Sequence, residues 1–184
     1  MRYVHLANEP LLISGVATQT LEIVEDMPGI EVIFVPLGGG SGAAGACIVA
    51  KAINPNIQVI AAQSEQSPAA YLAWKSHSLG KAPNTTVAEG LATGEAYQLT
   101  QEILWDLLDE FALVRDREIL AAIGILLEKA HTLAEPAGAA ALAGAVKLKE
   151  TIRGKKVAVI VSGCNITLAQ ITQAMEAYSQ TGFG

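Results

Sequence analysis

Two runs of this sequence are apolar almost throughout, "EVIFVP" at 31–36 and "KKVAVIVSG" at 155–163. Strands of this kind are buried on both faces, which indicates a parallel sheet that is covered by helices on each side. Two further short runs rich in Val, Ile, Leu or Phe also favour strands. The predicted strands are Glu31–Pro36, Gln58–Ala62, Phe111–Val114 and Lys156–Ser162.

Segments with helical spacing of apolar residues lie between these strands. Helices are predicted at 17–27, 42–53, 93–110, 116–131, 138–150 and 167–180. Asp116 and Thr167 are the expected N-caps of the helices that they open. The alternation of strand and helix predicts a single α/β domain over residues 1–184, a Rossmann-like three-layer αβα sandwich with a mostly parallel sheet.

Two segments do not fit this alternation. The chain starts on a predicted strand, and Asn8–Gly15 is predicted to form a loop that covers another part of the protein. Residues 78–95, "SLGKAPNTTVAEGLATGE", are the one long stretch with no periodic pattern. Long loops in compact domains are often functional, so this stretch is a candidate for a role in function.

The composition excludes several classes of protein. Hydrophobic residues make up 51% of the chain and charged residues 16%, which is typical of a globular protein with a core. The net charge is −6 and the cations are scattered, so the basic stripe that nucleic-acid binding requires is missing. No apolar run is long enough to span a membrane and no signal peptide is recognisable, so we expect a cytoplasmic protein. Cys47 and Cys164 form no C-x-x-C pair, which argues against structural zinc and a disulfide.

A glycine-rich loop follows the first of the two apolar runs, in the sequence "FVPLGGGSGAAGA" at 34–46. Glycines let the backbone approach a ligand closely, and the N-terminus of the predicted helix adds partial positive charge. The loop has no Lys-Ser/Thr ending and fits G-x-G-x-x-G poorly, so backbone dipoles would hold a single phosphate monoester. The alternative is a tight strand-to-helix turn that needs glycine only for packing.

Two other segments offer polar groups near strand or helix ends. Ser162 follows the last predicted strand, at the same edge of a parallel sheet as the glycine loop. Ser162 and Asn165 could instead cap backbone groups of an ordinary turn. Glu135 precedes a proline and a helix of small residues, where it is either a charge partner for the helix N-terminus or a site residue.

Together these segments resemble the pyridoxal-phosphate enzymes of fold type II, and more narrowly the threonine/serine dehydratase (ammonia-lyase) group, whose relatives include serine racemase and threonine synthase. The similar segments are "YVHLANEPLLISGVATQTLEI", "VPLGGGSGAAG", "LAEPAGAAALAGAVKL" and "KKVAVIVSGCNI", the last usually reading Ser-Gly-Gly-Asn in the family. The resemblance runs from Tyr3 to Tyr178. Four motifs in family order and at family-like spacing make it specific.

The resemblance implies pyridoxal phosphate as cofactor. Ser162 would hydrogen-bond the pyridine nitrogen, and Glu135 would lie near the ring. The residues whose backbone would hold the cofactor phosphate are Gly38, Gly39, Gly40, Ser41 and Gly42.

The chain also departs from the family pattern. The family's Schiff-base lysine lies in a Ser-Phe-Lys-type motif, and its Ser-x-Gly-Asn-His motif touches the ring and the substrate carboxylate; this sequence has neither. The lysines are Lys51, Lys75, Lys81, Lys129, Lys147, Lys149, Lys155 and Lys156, none in such a context. We therefore assign no catalytic residue to this chain and expect no covalent attachment of the cofactor.

Some relatives bind a divalent metal through a Glu that follows the strand equivalent to Gln58–Ala62. Here Gln63 stands at the matching position, and Ala69 stands where a later acidic ligand would be. No metal is predicted at that site, although Glu65 lies close by in the sequence.

The resemblance implies the C-terminal half of a dehydratase-like enzyme, with most of the large cofactor domain and without the small domain. Such a chain would be inactive alone and active with a complementary N-terminal half. A second hypothesis is a non-catalytic module that binds pyridoxal phosphate or another small anion. A third is an assembly module that forms a homo-oligomer, because loss of the other half would uncover apolar surface.

Overall fold

A computed structural model describes residues 4–182. The strands are β1 (Val32–Pro36), β2 (Gln58–Ser64), β3 (Glu110–Val114) and β4 (Val157–Val159). The helices are α1 (Pro10–Asp26), α2 (Ser41–Ile53), α3 (Ala69–Ser76), α4 (Gln98–Leu107), α5 (Asp116–Ala130), α6 (Pro136–Lys147) and α7 (Leu168–Ser179), with a 3₁₀ helix at Glu89–Leu91.

The four strands form one sheet in the order β3-β2-β1-β4, and every pairing in it is parallel. β1 is a central strand, and its Phe34 pairs with Ile60 of β2 on one side and Val159 of β4 on the other. The four predicted strands between residues 31 and 162 are all present in this sheet. The α/β sandwich with a parallel sheet is therefore confirmed.

The sheet is covered on both faces, as its apolar strands predicted. Ile33 and Val35 of β1 point into a core that contains residues of α1, α2, α3 and α4. Val32 and Phe34 point to the other face, where they pack against Ala141 and other small residues of α6. α5 packs beside α6, and α7 packs against α5, so that both helices extend this second layer.

The beginning of the chain differs from the prediction. α1 starts at Pro10, so most of the predicted loop Asn8–Gly15 is helical. Glu9 is the N-cap, and its side chain accepts a hydrogen bond from the Leu11 N–H at 3.3 Å. Proline fits the first helical position because its missing N–H would have no partner there. Residues 4–9 form turns and not the predicted strand, the first residues of which lie outside the described part of the chain.

The helix predicted at 93–110 is shorter, since α4 begins at Gln98 and ends at Leu107. The other helix boundaries are close to the predicted ones, with two differences. α3 was not predicted; it is short, and its N-cap, Pro68, offers no side-chain hydrogen bond. Asp116 is the first residue of α5 and not its N-cap, a position that Arg115 occupies. Thr167 is the N-cap of α7, as predicted, and its side chain accepts a hydrogen bond from the Gln170 N–H.

The long irregular stretch connects α3 to α4 and is held against the sheet by polar contacts. The Asp116 carboxylate accepts hydrogen bonds from Ser64 Oγ at 2.6 Å, Thr86 Oγ1 at 2.7 Å and the Val87 N–H at 2.8 Å. These contacts tie the loop to the carboxyl ends of β2 and β3. Within residues 4–182, no helix has the length and apolar character that a membrane span requires.

Candidate functional site

The glycine loop connects β1 to α2 at the carboxyl end of the sheet. β1 ends at Pro36, and α2 begins at Ser41. Gly40 has a φ of +94°, a left-handed conformation that side chains other than glycine rarely adopt. Glycine is therefore required at this position to turn the chain into the helix.

Two threonines bind the carbonyl groups of this loop. Thr93 Oγ1 donates to the Gly38 carbonyl oxygen at 3.2 Å, and Thr100 Oγ1 donates to the Gly39 carbonyl oxygen at 2.9 Å. In a planar trans peptide the C=O and the following N–H point in opposite directions. The N–H groups of Gly39 and Gly40 therefore point away from the two threonines.

The first N–H groups of the loop and helix are open to a ligand. In the described chain, the N–H groups of residues 38–43 donate no hydrogen bond to a backbone or side-chain acceptor. The helical ladder begins only with the Ala44 N–H, which donates to the Gly40 carbonyl oxygen at 2.8 Å. Unpaired donors at the positive end of a helix are a ready-made site for an anion.

The surroundings of the loop leave little room for side chains. A Cβ on Gly38 would come within 2.6 Å of the Gly90 carbonyl oxygen in the 3₁₀ helix. A Cβ on Gly39 would lie 2.7 Å from a methyl group of Leu6. Gly90 in turn lies against Ala137, so the 3₁₀ helix fills the space between the glycine loop and the N-terminus of α6.

The segment after β4 lies at the same edge of the sheet. β4 ends at Val159, three residues earlier than predicted, although the Ile160 N–H still donates to the Phe34 carbonyl oxygen of β1 at 3.0 Å. Ser162 follows at an exposed position in the irregular connection to α7. Because β1 and β4 are parallel neighbours, Ser162 and the glycine loop both follow the carboxyl ends of adjacent strands.

Glu135 lies against this connection. It is the N-cap of α6, and its N–H donates to the Gly163 carbonyl oxygen at 3.0 Å. Its half-buried carboxylate lies over Gly163, where any side chain would overlap it. The structure thus brings Glu135 next to the connection that carries Ser162.

The lysines with described partners bind groups away from the glycine loop. Lys51 forms an ion pair with Asp109 at 2.7 Å, and Lys147 contacts Glu65 at 3.2 Å. No lysine in residues 4–182 is among the nearest neighbours of Gly38, Gly39, Gly40 or Gly42.

Gln63, which stands where some relatives carry a metal ligand, is fully buried at the end of β2. Its Oε1 accepts a hydrogen bond from the Tyr71 N–H at 2.9 Å, and its Nε2 has no partner in the described chain. Among residues 4–182, no three His, Cys, Asp or Glu side chains form a group that could hold a metal ion.

The sequence did not single out Thr93 and Thr100 as site residues. Thr93 lies within the irregular stretch that was a candidate for function, and Thr100 lies in a predicted helix. Each reaches a glycine 55 or 61 positions away, which no local pattern indicates.

A family model described as "Pyridoxal-phosphate dependent enzyme" matches residues 1–163. The chain belongs to this family. It is 39% identical over 173 residues to the L-threonine ammonia-lyase of Thermotoga maritima, and the match covers 92% of this chain and 42% of that protein. It is 34% identical over 181 residues to the serine racemase of Dictyostelium discoideum, covering 95% of this chain and 55% of that protein.

A solved structure supports the same relationship. The processed form of threonine deaminase isoform 2 from Solanum lycopersicum superposes with a TM-score of 0.92 and 27% identity, over 96% of this chain and 52% of that one. The chain is thus related to threonine dehydratases and serine racemases of fold type II. It spans about half the length of the curated relatives that it matches.

The residues at the carboxyl edge of the sheet fit the phosphate group of pyridoxal phosphate. The N–H groups of 38–43 are free to donate, and the left-handed Gly40 leads directly into α2. A phosphate carries acceptor oxygens and negative charge, which complement these donors and the helix dipole.

Proposed function

We propose that this chain provides the phosphate-binding part of a pyridoxal-phosphate-dependent amino-acid ammonia-lyase that acts on threonine or serine. The observation that carries the proposal is the set of unpaired N–H groups at residues 38–43, at the N-terminus of α2. The identity to the L-threonine ammonia-lyase of Thermotoga maritima supports the substrate class.

The residues of this chain would bind and orient the cofactor. The glycine loop would hold the phosphate through backbone N–H groups, with no cation required. The exposed Ser162 hydroxyl would donate to the pyridine nitrogen, and Glu135 would lie beside the ring. When bound, pyridoxal phosphate supplies the electron sink that makes the substrate α-proton and β-hydroxyl reactive.

The lysine that binds the cofactor aldehyde would come from a complementary N-terminal half. Covalent catalysis of this kind requires an amine at the aldehyde. The support is that the chain spans about half the length of its relatives and that no described lysine is among the nearest neighbours of the loop glycines. Alone, the chain would bind the cofactor weakly and release no ammonia.

The test combines binding with complementation. Pyridoxal phosphate and inorganic phosphate are titrated into the chain by calorimetry. The chain is then mixed with the N-terminal half of the Thermotoga maritima enzyme, and ammonia release from threonine and serine is measured. We expect saturable binding of both anions and ammonia release only in the mixture.

A matched pair of variants links both results to the loop. Gly39→Asp adds a negative charge to the glycine loop and a side chain that crowds Leu6, and it should abolish binding and ammonia release. Gly182→Asp adds the same charge beyond α7, where no atom lies within 4 Å of the new Cβ, and should leave both unchanged. The proposal is wrong if the wild-type chain binds neither anion.

The second candidate is a non-catalytic module that binds pyridoxal phosphate or another small anion. The open N–H groups favour it, because they can hold a phosphate without any lysine. Saturable binding with no ammonia release from any mixture would select this candidate over the ammonia-lyase.

We also propose that the edge of the sheet that carries the site is covered by another protein surface. Leu6, which lies against Gly39, is 57% exposed, and Leu168 at the start of α7 is 83% exposed. Leu11 in the first turn of α1 is 73% exposed. A complementary half or a second copy of this chain would bury these side chains.

A further inference from the structure

We propose that Thr93 and Thr100 are positioning residues that aim the N–H groups of the glycine loop at the bound anion, an inference that rests on the phosphate-binding function proposed above. Neither hydroxyl would touch the anion. Each hydroxyl binds the carbonyl oxygen at one end of a peptide group. The N–H at the other end of the same peptide group would bind the anion.

The geometry of the two peptides carries the proposal. Thr93 binds the carbonyl of the Gly38–Gly39 peptide, and Thr100 binds the carbonyl of the Gly39–Gly40 peptide. Fixing each carbonyl oxygen also fixes the N–H at the other end of the same plane. These two N–H groups belong to Gly39 and Gly40, and neither has another partner in the described chain.

The loop needs such a restraint because its residues are glycines. Glycine has access to a wide range of φ and ψ values, so a glycine peptide can rotate and bring its carbonyl oxygen toward the ligand. A carbonyl oxygen facing a phosphate would repel it, whereas an N–H attracts it. A threonine hydroxyl holds the carbonyl away from the site without adding a charge.

Both threonines are themselves held in place. Thr100 is 2% exposed, and a Cβ on Gly40 would contact its side chain at 3.0 Å. Thr93 is fixed by Ser67, whose Oγ donates to the Thr93 carbonyl oxygen at 2.9 Å and accepts from the Thr93 N–H at 3.2 Å. The loop carbonyls are thus bound to rigid donors from two different segments.

Thr100 Oγ1 has a second acceptor within reach, the Tyr97 carbonyl oxygen at 3.2 Å. A hydroxyl has one hydrogen, and the Gly39 carbonyl oxygen is closer at 2.9 Å. Donation to Tyr97 would stabilise the start of α4 and would not orient the loop. Anion affinity separates these two roles, because only donation to Gly39 affects it.

The experiment measures the affinity of the full chain for inorganic phosphate by calorimetry, with ¹⁵N NMR of the Gly39 and Gly40 amides as a second readout. Thr100→Val removes the donor and should weaken binding about fivefold to tenfold, the effect of one lost hydrogen bond. The phosphate-induced shift of the Gly40 amide should shrink in that variant. Thr100→Ser keeps the hydroxyl and should stay within about twofold of the wild type.

Two further variants keep the test decisive. Thr93→Val removes the donor at a half-buried loop position and should weaken binding similarly, with the Gly39 amide affected. Thr172→Val is the control, because it removes a hydroxyl bond of the same kind, from Oγ1 to the Leu168 carbonyl oxygen at 3.1 Å, on α7. It should bind phosphate as the wild type does.

The outcomes distinguish the two proposals. Phosphate binding by the wild type that neither Thr100→Val nor Thr93→Val weakens overturns the positioning role and leaves the proposed function standing. A wild type that binds neither inorganic phosphate nor pyridoxal phosphate overturns the proposed function and the positioning role with it. Weaker binding in both valine variants, with Thr100→Ser and Thr172→Val near the wild type, supports the positioning role.

Discussion

At the scale of single residues, the buried Cys47 makes the free energy of unfolding depend on pH. The side chain lies in α2 with no exposed surface. Burial raises the pKa of the Cys47 thiol from its ordinary 9.0 to about 12, and the negative charge of Asp109 adds to the rise. Between these values the unfolded chain has released the proton and the folded chain retains it. The free energy of unfolding therefore falls as the pH rises from 9 toward 12, by at most about 1.4 kcal/mol per pH unit.

Urea unfolding of the wild type and of Cys47→Ala, measured from pH 8 to pH 11, checks this prediction. Cys47→Ala lacks this contribution, so its stability should fall less steeply above pH 9 than that of the wild type. Cys164→Ala removes the exposed cysteine and controls for the loss of a thiol as such. Parallel curves for the wild type and Cys47→Ala would contradict the prediction.

The same scale separates what the sequence could predict at the site from what it could not. A run of glycines between an apolar strand and a helix of small residues predicts an anion-binding loop by local pattern alone. The contacts that orient the loop come from Thr93 and Thr100, and they form only when distant segments meet. Asp116 was expected to cap α5, but its carboxylate binds Ser64 and Thr86 because the folded loop brings those hydroxyls to it.

At the scale of elements, the contact between α5 and α7 depends on one glycine. A Cβ on Gly124 of α5 would overlap the Cβ and Cγ atoms of Tyr178 in α7. Alanine in place of glycine inside a helix ordinarily gains about 1 kcal/mol. Here the overlap should reverse the sign, so we expect Gly124→Ala to destabilise the protein by about 1–3 kcal/mol.

Gly15→Ala is the matched control, because Gly15 also lies inside a helix, α1, and no atom lies within 4 Å of its added Cβ. It should stabilise the protein by up to about 1 kcal/mol. Urea unfolding of the two variants compares them directly. If Gly124→Ala is as stable as Gly15→Ala, the prediction is wrong, because α7 can then move away from the added methyl group without loss of stability.

Elements were predictable where one pattern extends over their length. The strands were found because parallel strands buried on both faces are apolar at nearly every position. The start of α1 was missed because Asn, Pro and Gly between 8 and 15 are typical of loops, whereas Pro10 in fact occupies the first helical turn. α3 was missed because eight residues give too little periodicity to distinguish a helix from a connection.

At the scale of the whole molecule, the fold class followed from the strands, and the family followed from four motifs in order. The matched family model and the superposed threonine deaminase agree with both. No comparable sequence pattern predicts which apolar side chains remain exposed in the folded chain. Leu11 and Leu168 lie in amphipathic helices, and only the folded chain places both at the edge of the sheet that carries the glycine loop.

This exposure leads to the last prediction, that the isolated chain self-associates through that edge. Burying two leucine side chains contributes several kcal/mol to association. We therefore expect the double variant Leu11→Gln with Leu168→Gln to raise the dissociation constant by at least about tenfold. Sedimentation equilibrium over a range of concentrations measures it.

Met27→Gln provides the control for the location of the effect. Met27 is 42% exposed, but it follows the other end of α1, just before β1 begins, and so lies at the opposite edge of the sheet. If the contact forms at the glycine-loop edge, the Met27→Gln variant should have the same dissociation constant as the wild type. A wild-type chain that sediments as a monomer at every concentration would contradict self-association. In that case only a complementary half would cover the exposed leucines.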